Sequence, residues 1–142
     1  MRTFYEDKVA KVWYDAQLDY LCLEYISKVP NHNEFVKINQ AVLDAFTTLH
    51  TQVFVADIRR MGIISLESQN WVLENLLPKM ITHLKGKQLY HAQWIDDTEI
   101  MSKVSGGNIK NRAKNVSEGL QVIQIFTEPE LHEYVKQSNL LV

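Results

Sequence analysis

The sequence predicts one α/β domain, in which an N-terminal β-hairpin is followed by alternating strands and helices around a mixed, mostly parallel sheet. Residues 53–56 form an apolar run without polar alternation, which is typical of a strand covered on both faces. After the hairpin, strand-like runs alternate with segments of helical periodicity, and this order indicates parallel strands joined by right-handed crossovers. The 142 residues are enough for one hydrophobic core, so we expect a single domain over residues 1–142.

The N-terminal part is expected to contain the hairpin. Residues 1–8 bring charge before any apolar run and are expected to be a loose lead-in. Residues 9–14 and 18–25 are rich in β-forming residues and flank a polar turn at residues 15–17, which predicts two antiparallel strands. Cys22 has no histidine or lysine close to it in sequence, so we interpret it as a small strand residue rather than a reactive thiol.

Two helices are predicted on either side of a central strand at residues 52–57. Apolar residues recur at helical spacing over residues 34–49, which predicts an amphipathic helix. A second apolar stripe predicts a helix over residues 66–77, which Pro78 is expected to end or kink. Met80, Ile81 and Leu84 are expected to continue it for a further turn if it does not end, and Gly86 to stop it.

Two more strands and a last helix are expected in the second half of the chain. Residues 88–95 and 120–126 predict strands that run parallel to the central one. Thr127 is expected to cap the last helix, with Pro129 near its start and its end at about Gln137.

The segment between these two strands is harder to assign. Asp97 or Thr98 is expected to cap a helix near residues 98–104, and the Gly106-Gly107 pair is expected to interrupt it. Residues 109–118 are polar and are interpreted as a second helical piece.

Composition excludes several classes of protein. Hydrophobic residues make up 46% and charged residues 23% of the chain, which are ordinary globular values. The formal net charge of -2 gives no overall attraction to nucleic acid or to an anionic membrane. No apolar run is long enough for membrane insertion, and the N-terminus does not resemble a secretion signal. A single cysteine cannot form an intrachain disulfide. We therefore expect a cytoplasmic protein.

No motif for catalysis, metal or cofactor binding is evident. The five histidines show no spacing that would place two metal ligands on one helical face. The Gly106-Gly107 pair fits neither a phosphate-binding loop nor a dinucleotide fingerprint, and Ser65 has no nucleophile context. We expect no catalytic residues, no metal and no cofactor.

The best polar cluster follows the central strand. Asp57, Arg59 and Arg60 bring charge to its carboxyl end, where ligands bind in open α/β sheets. Asp57 is able to orient one arginine and leave the other for an anion, or to form an Asp–Arg pair that only fastens the loop. Ser65 is a candidate N-cap for the next helix. If Trp71 is not simply core, it is expected to border a pocket with Met61 and Ile63, or an interface.

Residues 55–65, Trp71, Leu77-Pro78 and residues 126–131 together resemble a STAS-like domain, the fold of bacterial anti-sigma factor antagonists. The likeness extends to small bacterial single-domain proteins grouped as STAS-like, and it covers nearly the whole chain. In the antagonists a serine at the start of the helix after the third strand is phosphorylated, and Ser65 matches that position. The chain has Ile63-Ile64-Ser65-Leu66 there, without the Asp-Ser-Ser-Gly type of motif.

The resemblance implies a non-enzymatic, regulatory module that binds an unidentified protein partner, with a homodimer as one possibility. The alternative is a binder of a small apolar ligand or lipid, because the fold is also similar to that of the CRAL-TRIO lipid carriers. A cavity of ~300–1,000 Å³ would favour the ligand binder. A packed interior with an exposed apolar patch would favour the interaction module.

Overall fold

The computed structural model of the chain describes residues 1–96, 100–113 and 119–141. Six strands are present in this part: β1 Arg2–Glu6, β2 Ala10–Asp15, β3 Tyr20–Tyr25, β4 Val53–Asp57, β5 Leu89–Trp94 and β6 Leu120–Ile125. The helical segments are α1 His32–Phe46, α2 Leu66–Trp71, a π-helical turn Val72–Leu76, α3 Leu77–His83, α4 Ile100–Ala113 and α5 Glu128–Leu140.

The strands form one mixed sheet in the order of the chain, β1-β2-β3-β4-β5-β6. Strands β2 and β3 pair antiparallel, and β3, β4, β5 and β6 pair parallel, as the sequence predicts. Strand β1 adds an antiparallel partner to β2 that was not predicted. In this register Glu24 pairs with Asp57, and Asp57 pairs with Trp94. The last residues of three neighbouring strands therefore lie side by side at the carboxyl edge of the sheet.

Each face of the sheet carries its own hydrophobic core. The larger core packs residues of α1, the α2–α3 segment and α4 against one face, where Phe54 is buried among them. The smaller core lies on the other face, where Leu131 and Val135 of α5 pack against Val55 and Ala92. A sheet whose crossovers share one hand and whose strands follow chain order places successive crossover helices on one face. Of the helices that the structure describes, α5 covers the second face.

The N-terminal residues are not a loose lead-in, and that expectation is wrong. Arg2–Glu6 forms the edge strand β1, with Thr3 paired to Trp13 and Glu6 paired to Lys11. An edge strand needs little burial, so its residues can be polar. The apolar pattern from which the other strands are predicted is therefore missing from β1.

The helix over Pro78 is neither ended nor cut by the proline. The ring of Pro78 would clash with the carbonyl of Glu74 in a regular α-helix, and its nitrogen has no hydrogen to donate. The π-helical turn just before it relieves this conflict, because the Leu77 N–H donates to the carbonyl of Val72, five residues back. The helical path continues to His83.

The glycine pair does not interrupt the next helix, so that expectation is wrong as well. Ile100–Ala113 is one helix through Gly106 and Gly107. A Cβ on Gly106 would lie 2.4 Å from Cδ1 of Ile58, so the missing side chain lets α4 approach the loop after β4 closely. The proposed caps Asp97 and Thr98, and residues 114–118 of the second helical piece, lie outside the described residues.

The remaining boundaries agree with the prediction to within a few residues. The first helix starts at His32 and ends at Phe46, and the last begins after the Thr127 cap and reaches Leu140. Among the described residues, none of the helices has the length and apolar character needed to span a membrane.

Candidate functional site

The sequence predicts a pair between Asp57 and one of two arginines at the end of β4, and in the structure that arginine is Arg59. The Nε and one terminal nitrogen of Arg59 donate to the two carboxylate oxygens of Asp57 at 2.9 and 2.8 Å. The Asp57 side chain is only 6% exposed, whereas that of Arg59 is 39% exposed. Hydrogen bonding to Asp57 raises the pKa of Arg59 above its ordinary value. The pair is a bidentate ion pair with its carboxylate inside and its guanidinium at the surface.

Arg59 also lies on an aromatic ring that sequence reasoning did not connect to it. Its guanidinium carbon is 3.7 Å from the ring centroid of Trp94, at the end of the neighbouring strand. Stacking on the indole fixes the orientation of the guanidinium plane and also stabilises its positive charge. The signal for this contact was the parallel register that places Trp94 beside Asp57.

A groove of about 240 Å³ opens beside this pair, between α5 and the part of the sheet that α5 leaves uncovered. Its lining is Trp13, Tyr20, Cys22, Glu24, Asp57, Arg59, Trp94, Glu128, Leu131 and His132. The rings of Trp13 and Tyr20 meet edge to face, with centroids 5.6 Å apart and planes at 66°. The groove is therefore walled by aromatic rings and edged by carboxylates.

Cys22 is a residue of strand β3, as the sequence predicts, and it is buried where it lines this groove. Loss of hydration raises the pKa of its thiol well above the ordinary value, and the nearby carboxylate of Asp57 adds to the effect. A thiol that resists ionisation is a poor nucleophile and a poor metal ligand. Across the described residues, no group of three histidine, cysteine or acidic side chains is placed to hold a metal ion.

Ser65 is the N-cap of α2, as predicted. Its hydroxyl oxygen accepts a hydrogen bond from the Ser68 backbone N–H at 3.0 Å. The turn that precedes it contains Gly62 at φ +77°, in the left-handed region that glycine adopts without strain.

A hydrogen-bonded chain that the sequence did not reveal joins the start of α1 to the start of α2. Nδ1 of His32 is 2.9 Å from the Ser68 hydroxyl, and Nε2 is 3.2 Å from a Glu67 carboxylate oxygen. A carboxylate only accepts, so with neutral imidazole Nε2 donates to Glu67, and Nδ1 accepts from Ser68. Ser68 is 2% exposed and Glu67 is 74% exposed. The Ser68 hydroxyl is buried and the carboxylate that orients His32 is in solvent, so the arrangement favours a structural role for Ser68 over that of a nucleophile.

The predicted binding loop is thus divided between two places. Asp57 and Arg59 lie on the α5 side of the sheet, and Ser65 lies in a separate cleft of about 170 Å³ with His32 and Ser68. Arg60 is exposed. It lines only a small polar cleft of about 60 Å³ with Glu24, Tyr25, Asp57 and Arg59.

Trp71 is partly buried and packs against the larger core. Met61 lines the interior of that core, and Ile63 lines the cleft beside Ser65. The three residues do not share one of the described pockets.

The loop between β4 and α2 exposes apolar side chains next to the Ser65 cap. Ile63 is 61% exposed, Leu66 is 65% exposed, and Val104 of α4 is 48% exposed. Two serines of α4 fix this helix to the loop, because the Ser102 and Ser105 hydroxyls accept from the N–H groups of Gly62 and Ile64 at 2.7 and 3.1 Å. We refer to Ile63, Leu66 and Val104 as the apolar patch.

The interior of the larger core is nearly filled. A cavity of about 30 Å³ lies among its side chains, between β3–β5 and the helices, with Leu23, Phe54 and Met61 in its lining. This volume is sufficient for about one water molecule.

Comparison with known proteins gives no match: neither a protein-family model, nor a curated protein, nor a solved structure is significantly similar to the chain.

Proposed function

We propose that the chain is a non-enzymatic, regulatory STAS-like module that acts by binding another protein through the apolar patch. The observation that supports this most strongly is the exposure of Ile63, in the firmly held loop before α2, and of Leu66, the first residue of α2. An apolar side chain in a fixed loop loses little conformational freedom on binding, so its burial against a partner contributes more fully to affinity.

The rigidity of the patch comes from four hydrogen bonds that involve different elements. Ser65 caps α2, Ser102 and Ser105 hold the loop to α4, and His32 bonds to Ser68. These bonds connect the loop before α2, and α2 itself, to α1 and α4. Exposed apolar surface is characteristic of protein interaction sites.

The nearly filled core also favours this function over binding of a small apolar ligand or lipid. Sites for such ligands are typically ~300–1,000 Å³. The cavity in the larger core is about 30 Å³. The larger grooves are at the surface and include charged or polar side chains, such as Glu24 and Arg59 in one and Lys136 and Asn139 in another.

The test compares two double variants as bait for partner capture from the native cell. Ile63→Asp with Leu66→Asp alters the patch. Leu140→Asp with Leu141→Asp alters two leucines at the end of α5 that are 77% and 72% exposed. We expect the patch variant to lose the partner and the α5 variant to retain it, with both proteins unfolding at nearly the wild-type temperature. Capture that survives the patch substitutions, or that fails equally in both variants, would contradict the proposal.

The partner is either a different protein or a second copy of the chain, and sedimentation velocity over a range of concentrations distinguishes them. A homodimer through the patch should dissociate in the Ile63→Asp/Leu66→Asp variant and persist in the Leu140→Asp/Leu141→Asp variant. A wild-type chain that stays monomeric at all concentrations leaves a different protein as the partner.

A further inference from the structure

We propose that the groove beside α5 is a second binding site, specific for an organic cation such as a protonated amine or a guanidinium group. It lies on the opposite face of the sheet from the α2 cap, so it does not depend on the function proposed for the apolar patch. The evidence is the combination of two aromatic walls, an unpaired carboxylate and a preformed volume of about 240 Å³.

The groove already contains one example of the chemistry that it would recognise. Arg59 stacks on the indole of Trp94 and bonds through two nitrogens to Asp57. A flat cation in this place is stabilised by the ring face and by the carboxylate at the same time.

A second indole and a second carboxylate lie on the neighbouring strands β2 and β3. The Nε1 of Trp13 donates to an oxygen of Glu24 at 3.3 Å, and the Tyr20 ring completes a corner with Trp13. Within the described residues no cation forms an ion pair with Glu24. The cross-strand neighbour of Glu24 is Lys11, which makes no ion pair with it. This part of the groove therefore has the ring and the carboxylate but no described ion pair, although Glu24 also attracts Arg59 electrostatically.

The charges in the groove favour a cation over an anion. The lining contains one guanidinium, that of Arg59, and three carboxylates, those of Asp57, Glu24 and Glu128. Asp57 binds Arg59 through two nitrogens, and Glu24 attracts the same guanidinium without forming an ion pair. Glu128 is 3.6 Å from His132, which compensates it only when the imidazole is protonated. The carboxylates outnumber the guanidinium, so an anion entering the groove would be repelled and an ammonium or guanidinium group would be attracted.

The test is titration of the intact chain with N-acetyl-lysine methylamide and N-acetyl-arginine methylamide, followed by NMR of the three indole N–H groups. The Trp13 N–H should shift most, because it bonds to the carboxylate that the cation would approach. The Trp71 N–H is an internal control, since Trp71 does not line the groove. We expect dissociation constants in the millimolar range and clear weakening by added salt.

Matched variants decide whether the groove is responsible. Glu24→Gln should weaken binding of the cations by about tenfold, as expected for loss of a charge-assisted contact. Glu133→Gln makes the same change in net charge on the exposed side of α5 and should have no effect. Lys11→Met should leave binding equal or tighter, because it removes a positive charge beside Glu24.

Two further titrations distinguish a protein side chain from a free amine as the source of the cation and test whether an anion binds as well. Tighter binding of lysine or arginine within a short peptide than of free butylamine would indicate a protein side chain. Equal binding would indicate a free amine. N-acetyl-glutamate methylamide should not bind. Equal shifts for this anion and for the cations, shifts at all three indoles, or cation binding unaffected by Glu24→Gln would overturn the proposal.

Discussion

The imidazole of His91 stacks on the phenyl ring of Phe54, with centroids 4.7 Å apart and planes at 8°. The two residues are paired across the parallel strands β4 and β5, and both are buried in the middle of the sheet. Nδ1 of His91 is 3.0 Å from the Phe54 carbonyl oxygen. A carbonyl oxygen can only accept, so Nδ1 carries the hydrogen and the other ring nitrogen is unprotonated.

Burial of this imidazole predicts that stability depends on pH. Loss of hydration lowers the pKa of His91 from 6.5 to about 4, which the bond to Phe54 only partly opposes. Between these values the unfolded chain binds the proton and the folded chain does not. The free energy of unfolding should therefore decrease as pH falls from about 6.5 towards 4, by roughly 3 kcal/mol from this group, and the contribution should level off below that.

The measurement is urea unfolding across that pH range for wild type and His91→Gln. Glutamine does not titrate, and its amide can still donate to the Phe54 carbonyl, so the variant should show a flatter profile. His50→Gln removes an exposed histidine and should retain the wild-type profile. Parallel profiles for wild type and His91→Gln would show that His91 is not the titrating group.

The two adjacent glycines of α4 predict opposite responses to alanine. Gly107 has only Gln124 Nε2 near its missing Cβ, at 4.0 Å, so Gly107→Ala should gain helix propensity of up to about 1 kcal/mol. Gly106→Ala places a methyl group 2.4 Å from Ile58 Cδ1 and 3.0 Å from Gln93 Oε1. Overpacking of this kind costs about 1–3 kcal/mol. Gly106→Ala should therefore be less stable than the wild type by about that amount, and less stable than Gly107→Ala. Equal urea midpoints would mean that Ile58 moves aside freely.

The elements that sequence predicts well are those whose own residues carry the signal. The apolar run of β4 and the apolar stripe of α1 follow from burial, and both are found in place. The polar edge strand β1 is held by its pairing with β2, and this pairing cannot be predicted from the residues of β1 themselves. Helix α4 continues through Gly106 although glycine has a poor helix propensity. The close contact with Ile58 leaves no room for a side chain at this position, which the sequence does not show.

The candidate site shows the same division. The Asp57–Arg59 pair is two residues apart in sequence and was predictable from charge at a strand end. The contact between Arg59 and Trp94 depends on the register of β4 and β5, which no spacing within one segment reveals. The tie between His32 and Ser68 similarly requires knowing that α1 and α2 start side by side.

The ion pair at the end of β4 predicts energetic coupling between its members. Arg59→Met leaves the Asp57 carboxylate buried without its cation, so it should cost more in wild type than in Asp57→Asn. Because the guanidinium is partly exposed and screened, we expect a coupling energy of about 1–2 kcal/mol rather than the larger values of fully buried pairs. The exposed Glu133–Gln137 contact is the control cycle, with coupling near zero. Additive effects of Asp57→Asn and Arg59→Met would show that the pair contributes no net interaction.

Ser65 is the residue at which a structural role and a regulatory role can be separated. Ser65→Ala removes the acceptor for the Ser68 N–H and should lower the free energy of unfolding by ~0.5–2 kcal/mol. Ser65→Asn and Ser65→Asp both retain a capping oxygen, and the carboxylate also interacts favourably with the start of the helix, so both should be nearly neutral for stability.

The same three variants then test phosphorylation, which the resemblance to the antagonists implies for this position. Ser65→Asp adds the charge that Ser65→Asn lacks, so a phosphorylation switch would alter partner capture in the aspartate variant alone. We expect capture to be equal in the two, because the hydroxyl of Ser65 is already engaged with the N–H and the hydroxyl of Ser68. Loss of capture confined to Ser65→Asp would support the switch. A free energy of unfolding that is unchanged in Ser65→Ala would contradict the capping role of Ser65.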